Sequence, residues 1–204
     1  MLSRVEVILA GYGGQGVVVS GIILGAAGVY DGNYATQVQS YGPEARGGAC
    51  KTEVVISGTP VYYPLVQKAD ILVAMSQEAL TKYISRLNAE GTLFVDSDLV
   101  KHKQFAHVHE IPATDLASKE LGKKVVANMI MLGSVARITK VVSQNALERA
   151  TIRNVPKGTE DLNIRAIKLG YHCASSAEKT AAGFGKRPLR TGNDSRKSTR
   201  KQDK

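Results

Sequence analysis

Residues 4–16 read Arg4-Val-Glu-Val-Ile-Leu-Ala-Gly-Tyr-Gly-Gly-Gln-Gly16, and the segment Val17–Tyr30 that follows carries no charged residue. Arg4 to Ala10 alternates and then turns wholly apolar, the pattern of a strand entering a protein interior. Glycines at 11, 13, 14 and 16 break that strand. The next segment reads as a helix, because its apolar run is long and its small residues Ser20, Gly21, Gly25, Ala26, Ala27 and Gly28 suit close approach to a sheet. Asn33 to Gln39 reads as a second strand. The spacing therefore predicts a βαβ unit with β-strands paired in parallel and a right-handed crossover.

Reading outward, Ser40 to Gly48 is a polar loop punctuated by Gly and Pro, and Ala49–Ser57 is strand-like. Gly58-Thr-Pro60 reads as a turn and Val61-Tyr-Tyr63 as a short return strand. Strands are expected at Asp70–Met75, Gly91–Asp96 and His107–His109. Helices are expected at Gln77–Asn88, Ala113–Leu121, Val126–Thr139, Ser143–Arg149 and Thr159–Tyr171. The predicted fold class is α/β: a Rossmann-like, mostly parallel sheet with helices on both faces, plus a disordered basic C-terminal tail.

The 204 residues suit one domain, and 43% hydrophobic with 22% charged residues excludes a wholly disordered, collagen-like or disulfide-scaffold chain. The net charge of +9 is concentrated at one end: residues 173–204 carry nine Lys/Arg against three Asp/Glu, and the rest carries 18 against 15. The basic excess thus says little about what the folded domain binds. Leu9–Tyr30 is charge-free and long enough to span a bilayer, but the glycines at its front leave a helix closer to a buried crossover than to a membrane span. No signal peptide is apparent, so a cytoplasmic location is expected. Cys50 and Cys173 have no neighbouring ligand pattern, so neither an iron–sulfur cluster nor a structural zinc is expected on this chain alone.

The turn Gly11-x-Gly13-Gly14-x-Gly16 has the spacing of a strand-to-helix phosphate loop. Glycines let backbone N–H groups converge at the positive end of the helix, and without Cβ atoms a phosphate can approach closely. A purely structural tight turn is the competing reading. NAD is disfavoured, since no carboxylate ends the second strand where ribose hydroxyls would be bound, and the absence of Gly-Lys-Ser/Thr removes a P-loop triphosphatase. The loop Tyr41–Gly48 should leave the same sheet edge, with Arg46 as a candidate anion ligand and Gly47 and Gly48 permitting close approach. Alternatively Arg46 pairs with Glu44 or Glu53 to hold the loop. No nucleophile elbow, zinc-protease motif or nucleophile–base pair is visible. His102, His107 and His109 read as surface or strand residues. Asp96 and Asp98 read as loop caps, with metal binding as the alternative.

Several segments together resemble the gamma subunit of 2-oxoacid:ferredoxin oxidoreductases over about residues 3–172. They are Gly11–Gly16, Gln39–Gly48 leading into Glu53–Ser57, Asp96-Ser-Asp98, Ala127–Met131 and Asn154–Asn163. The resemblance divides the chain into a gamma-type domain of the pyruvate/ketoisovalerate oxidoreductases, 1–172, and a basic low-complexity tail, 173–204. It implies a multisubunit enzyme that oxidatively decarboxylates a 2-oxoacid, forms an acyl-coenzyme A and reduces ferredoxin. Thiamine diphosphate, magnesium and iron–sulfur clusters would reside in partner alpha and beta subunits, with a ferredoxin-like delta subunit as a further candidate partner. No nucleic-acid or membrane partner is implied. Coenzyme A would be bound with help from Gly11, Gly13, Gly14, Gln15, Gly16, Arg46, Gly47, Gly48 and Asn128. No residue of this chain is expected to be catalytic or to hold a metal. The pattern is most similar to the 2-oxoglutarate branch, with pyruvate, branched-chain and indolepyruvate branches as alternatives. A free-standing dinucleotide reductase and a nucleic-acid binder acting through the tail are the competing function classes.

Overall fold

The computed structural model describes residues 2–39, 48–103 and 105–181. Within them, β1 (Val5–Tyr12), α1 (Val17–Tyr30), β2 (Tyr34–Gln39), β3 (Ala49–Ser57), β4 (Ala69–Ala74), α2 (Gln77–Tyr83), β5 (Leu87–Asp96) and β6 (Val108–Ile111) precede a helical half. That half comprises α3 (Ala113–Leu121), α4 (Ala127–Thr139), α5 (Gln144–Asn154) and α6 (Glu160–Ala181). The strands form one sheet in the order β2-β3-β1-β4-β5-β6. β3 runs antiparallel to both neighbours and the other pairs are parallel.

This order corrects the expected βαβ unit. β1 and β2 point the same way, but β3 lies between them, pairing Val5–Tyr12 with Ile56–Ala49. The physical reason is burial: eight of the nine residues of β3 are buried, whereas β2 is only partly covered. The more apolar strand takes the interior position and leaves β2 at the edge.

Alternate side chains of the strands feed two cores. Val7, Leu9, Val54, Ile56, Ile71 and Val73 face α1 and the helical half. Ile8, Ala10, Val55, Leu72, Leu93 and Val95 face α2 and the loops beside it. Helices thus flank both faces, unequally: the second is covered by one short helix and irregular chain. On the first, α1 comes very close to β3. A Cβ at Gly21 would sit 2.4 Å from Thr52 Cγ2, so this contact admits only glycine at the present spacing.

Other boundaries also move. Val61-Tyr-Tyr63 forms no strand. Arg4 Nη2 donates to the Tyr63 carbonyl instead, and three residues on the Val66 N–H donates to Glu53 Oε2. α2 ends at Tyr83 rather than Asn88, and after a single 3-10 turn β5 starts at Leu87. α6 does not stop at Tyr171 but continues to Ala181, with Ala174 fully buried, because the apolar face of this helix extends past the last obvious core residue of the sequence pattern. The tail from 182 onward lies outside the described residues. No described helix is long and apolar enough to cross a membrane.

Candidate functional site at the exit of β1

β1 delivers the glycine turn to the carboxyl edge of the sheet. α1 then packs on one face, while α2, which follows the neighbouring parallel strand β4, packs on the other. Chains that depart to opposite faces leave a crevice between their strand ends, the usual ligand position of open α/β sheets. Here a side chain of the turn bridges that crevice. Gln15 Oε1 accepts from the Tyr12 N–H at 2.7 Å, and Gln15 Nε2 donates to the Met75 carbonyl at 2.9 Å. The Gln15 N–H closes the turn onto the Tyr12 carbonyl at 3.1 Å. Gly11 is buried inside β1, and a Cβ there would meet Gln15 Oε1 at 2.4 Å. Gly11 and Gln15 therefore brace the turn from within.

Gly16 is the N-cap of α1, with a left-handed backbone of φ 72°. Its carbonyl accepts from the Ser20 N–H at 3.0 Å and from Asn128 Nδ2 at 3.1 Å. Asn128 Nδ2 also lies 3.2 Å from Ser20 Oγ. Asn128 stands in the first turn of α4, 6% exposed, and locks the start of α1 against the helical half. Its amide nitrogen is spent on this chain, and through it Asn128 positions the start of α1.

The outer side of the turn is open. Gly13 and Gly14 are exposed, α1 has no side-chain cap, and its first turn holds no acid. The first N–H groups of a helix have no partner inside it, and the aligned peptide dipoles make that end positive. Anion binding is what this arrangement can do chemically. Gly48 is brought alongside, since Tyr12 pairs with Ala49 across the β1–β3 ladder. Gln39 and Gly48 come to this end of the sheet because β2 and β3 pair antiparallel, not because β1 and β2 are neighbours. Arg46 and Gly47 lie outside the described residues.

The remaining candidates settle into structural work. Asp96 is fully buried at the end of β5; burial pushes its carboxyl above the usual range, against the bonds from the Thr114 hydroxyl and the Asp98 N–H. Asp98 Oδ2 accepts from the Asp115 N–H at 2.6 Å. These are loop caps. His109 stacks on Phe94, and His102 contacts Glu110 Oε1 at 2.8 Å. Cys50 and Cys173 are free thiols whose burial raises both above the ordinary value. Among the described residues no group of three or more His, Cys, Asp or Glu could hold a metal ion.

One cluster escaped the sequence reading. Glu53 projects from β3 onto the α2 face, where Lys51, Arg86 Nη1 and the Val66 N–H converge on its carboxylate. Burial would raise its pKa, but these three donors outweigh that and hold it below the ordinary carboxylate value. The signal was the acid Glu53, two residues after Lys51, at the head of the apolar run Val54-Val-Ile56. An open groove of about 530 Å³ lies at the far end of α1, beside Asp31, Arg137, Lys140 and Tyr171. It is remote from the glycine turn.

Sheet order and glycine turn together define a Rossmann-like α/β domain with an open helix terminus at its carboxyl edge. The chain belongs to the pyruvate ferredoxin/flavodoxin oxidoreductase family, whose description matches residues 6–173. It is 48% identical over 176 residues to the 2-oxoglutarate synthase subunit KorC of Methanocaldococcus jannaschii, covering 84% of this chain and 94% of that relative. It is 33% identical over 175 residues to the ketoisovalerate oxidoreductase subunit VorA of Methanothermobacter thermautotrophicus, covering 84% of this chain but 36% of the longer relative. Among solved structures, the gamma subunit of keto/oxoacid ferredoxin oxidoreductase from Geobacter sulfurreducens superposes with a TM-score of 0.78 at 40% identity. That match covers 86% of this chain and 99% of the other.

Proposed function

We propose that this chain is the gamma subunit of a cytoplasmic 2-oxoglutarate:ferredoxin oxidoreductase. The reaction converts 2-oxoglutarate, coenzyme A and oxidised ferredoxin to succinyl-coenzyme A, carbon dioxide and reduced ferredoxin. The 48% identity to a 2-oxoglutarate synthase subunit, against 33% to a ketoisovalerate oxidoreductase subunit, supports the choice of 2-oxoacid. Thiamine diphosphate, magnesium and iron–sulfur clusters are assigned to the alpha and beta subunits and a ferredoxin-like delta chain.

The role of this chain is coenzyme A binding, and the observation that carries it is the uncapped, acid-free start of α1 beside exposed Gly13 and Gly14. Phosphate groups of the coenzyme neutralise the partial positive charge of that helix end and accept its unpaired N–H groups. Gly48 lets the facing loop approach, Arg46 supplies a fixed cation to the phosphates, and Gln15 and Asn128 hold the turn rigid from behind. A site braced before the ligand arrives loses less conformational freedom on binding.

The test is the complex co-expressed from all its subunits. It should reduce ferredoxin with 2-oxoglutarate and not with pyruvate, while the isolated chain turns nothing over. Arg46→Ala should raise the KM for coenzyme A about tenfold with assembly intact, the scale of one lost charge-assisted contact. An unchanged KM removes Arg46 from the site, and loss of assembly makes it structural.

A further inference from the structure

α1 buries Val17, Ser20, Gly21, Ile23, Leu24, Gly25, Ala27 and Gly28. Its opposite side is also apolar. Ile22, 38% exposed, and Val29, 55% exposed, stand at helical spacing on that side, flanked by Val18 and Ala26, which are half-buried against the core. A helix apolar all round is ordinarily one that is covered on all sides. The outward faces of the other long helices are ordinary by contrast: α3 shows Lys119, and α5 and α6 show Glu148, Arg153 and Lys168.

The strand beneath α1 has the same character. β2, Tyr34-Ala-Thr-Gln-Val-Gln39, is a sheet edge without charge or proline, and Tyr34 is half exposed. Natural edges are normally protected by charge, proline or shortness. The other edge follows that rule, as β6 has four residues including His109 and Glu110. Helix and strand pack on each other, so the two unprotected features adjoin; α5 also packs on α1, yet Ile22, Val29 and Tyr34 remain exposed.

We infer that the outer face of α1 and the edge of β2 form the docking surface for the larger subunit of the enzyme, the separate polypeptide corresponding to the remainder of VorA. The longer relative identifies the occupant. There this domain is about a third of one chain, covalently joined to the rest. In the KorC relative, of which this chain covers 94%, the domain makes up nearly the whole polypeptide, so a non-covalent surface must supply what the VorA linkage supplied, and a desolvatable apolar face with an open strand edge provides it. The inference rests on the reading as a gamma subunit. It also places the partner against the helix whose first turn is the proposed phosphate site, so docking would enclose coenzyme A from the side of Val18.

The experiment is co-expression of the full chain with that larger subunit, followed by size-exclusion chromatography and titration. Val29→Glu should weaken the complex about tenfold, and Ile22→Glu with Val29→Glu should abolish co-elution, because burying an unpaired charge in an apolar contact is strongly unfavourable. Thermal melting of the isolated variants should match the wild type, and Ile152→Glu, at a 53% exposed position on α5, should leave the complex intact. Co-elution of the double variant at wild-type affinity overturns the inference. So does a wild-type homodimer that the double variant dissolves while the larger subunit still binds. A wild-type chain that never joins the larger subunit defeats the gamma-subunit reading itself, before any variant is made.

Discussion

Two parallel strands, β1 and β4, leave the sheet side by side and each runs through a tight turn into a helix, yet their helix starts are finished in opposite ways. At the β4 exit, Ser76 Oγ accepts from the Ala79 N–H at 3.2 Å and Glu78 stands in the first turn. The cap and the acid satisfy that helix end from within. At the β1 exit neither exists, and exposed glycines take their place. The difference shows how one architecture makes a closed end for stability and an open end for an anion. Gln15 couples the two by bonding across to Met75, so the open end is held by the closed one.

Gly16→Ala should break the open exit most severely. It imposes a left-handed backbone on a residue with a Cβ, which would lie 2.4 Å from Asn128 Nδ2. The expected loss is about 3 kcal/mol, from the left-handed conformation and the displaced Asn128 together, read as a lower denaturation midpoint. Gly13→Asp should sharpen the contrast by giving the open exit an acid of its own. Stability should hold or rise slightly, because the carboxylate complements the helix end, while the KM for coenzyme A in the assembled enzyme climbs about tenfold. An unchanged KM would show that the phosphates bind elsewhere. At the closed exit Ser76→Ala should cost about 1 kcal/mol of stability, the usual worth of a cap, and leave coenzyme A kinetics alone. A change in KM there would erase the division between the two ends.

Much of this was legible in the sequence because the signals are local. The strand-turn-helix of residues 4–30 and the helix at Ala113–Leu121 follow from periodicity and glycine spacing, and both stand in the structure. The β2–β3 arrangement was not legible. Both strands carry β-branched residues, and which one lies against β1 depends on how completely Ala49–Ser57 is buried between α1, which precedes it, and α2, which follows it. Tyr62 and Tyr63 looked like strand residues for the same reason, but the Glu53 cluster and Arg4 hold their segment as a loop. At the site, exposure of Gly13 and Gly14 follows from the turn, whereas the inward roles of Gly11, Gln15 and Asn128 became visible only with their partners in place.

By itself the sequence determined an α/β domain with a glycine-lined helix start and a charge-free crossover helix. Those features depend on neighbouring residues, whose spacing sets backbone conformation and helix polarity directly. Tertiary structure alone decided that β3 separates β1 from β2, that Gln15 reaches Met75 and that Asn128 clamps Gly16, pairings 60 and 112 residues apart in the chain. Contacts at that range are selected by how apolar surfaces pack and by which buried polar atoms must find partners, and no local pattern encodes either choice.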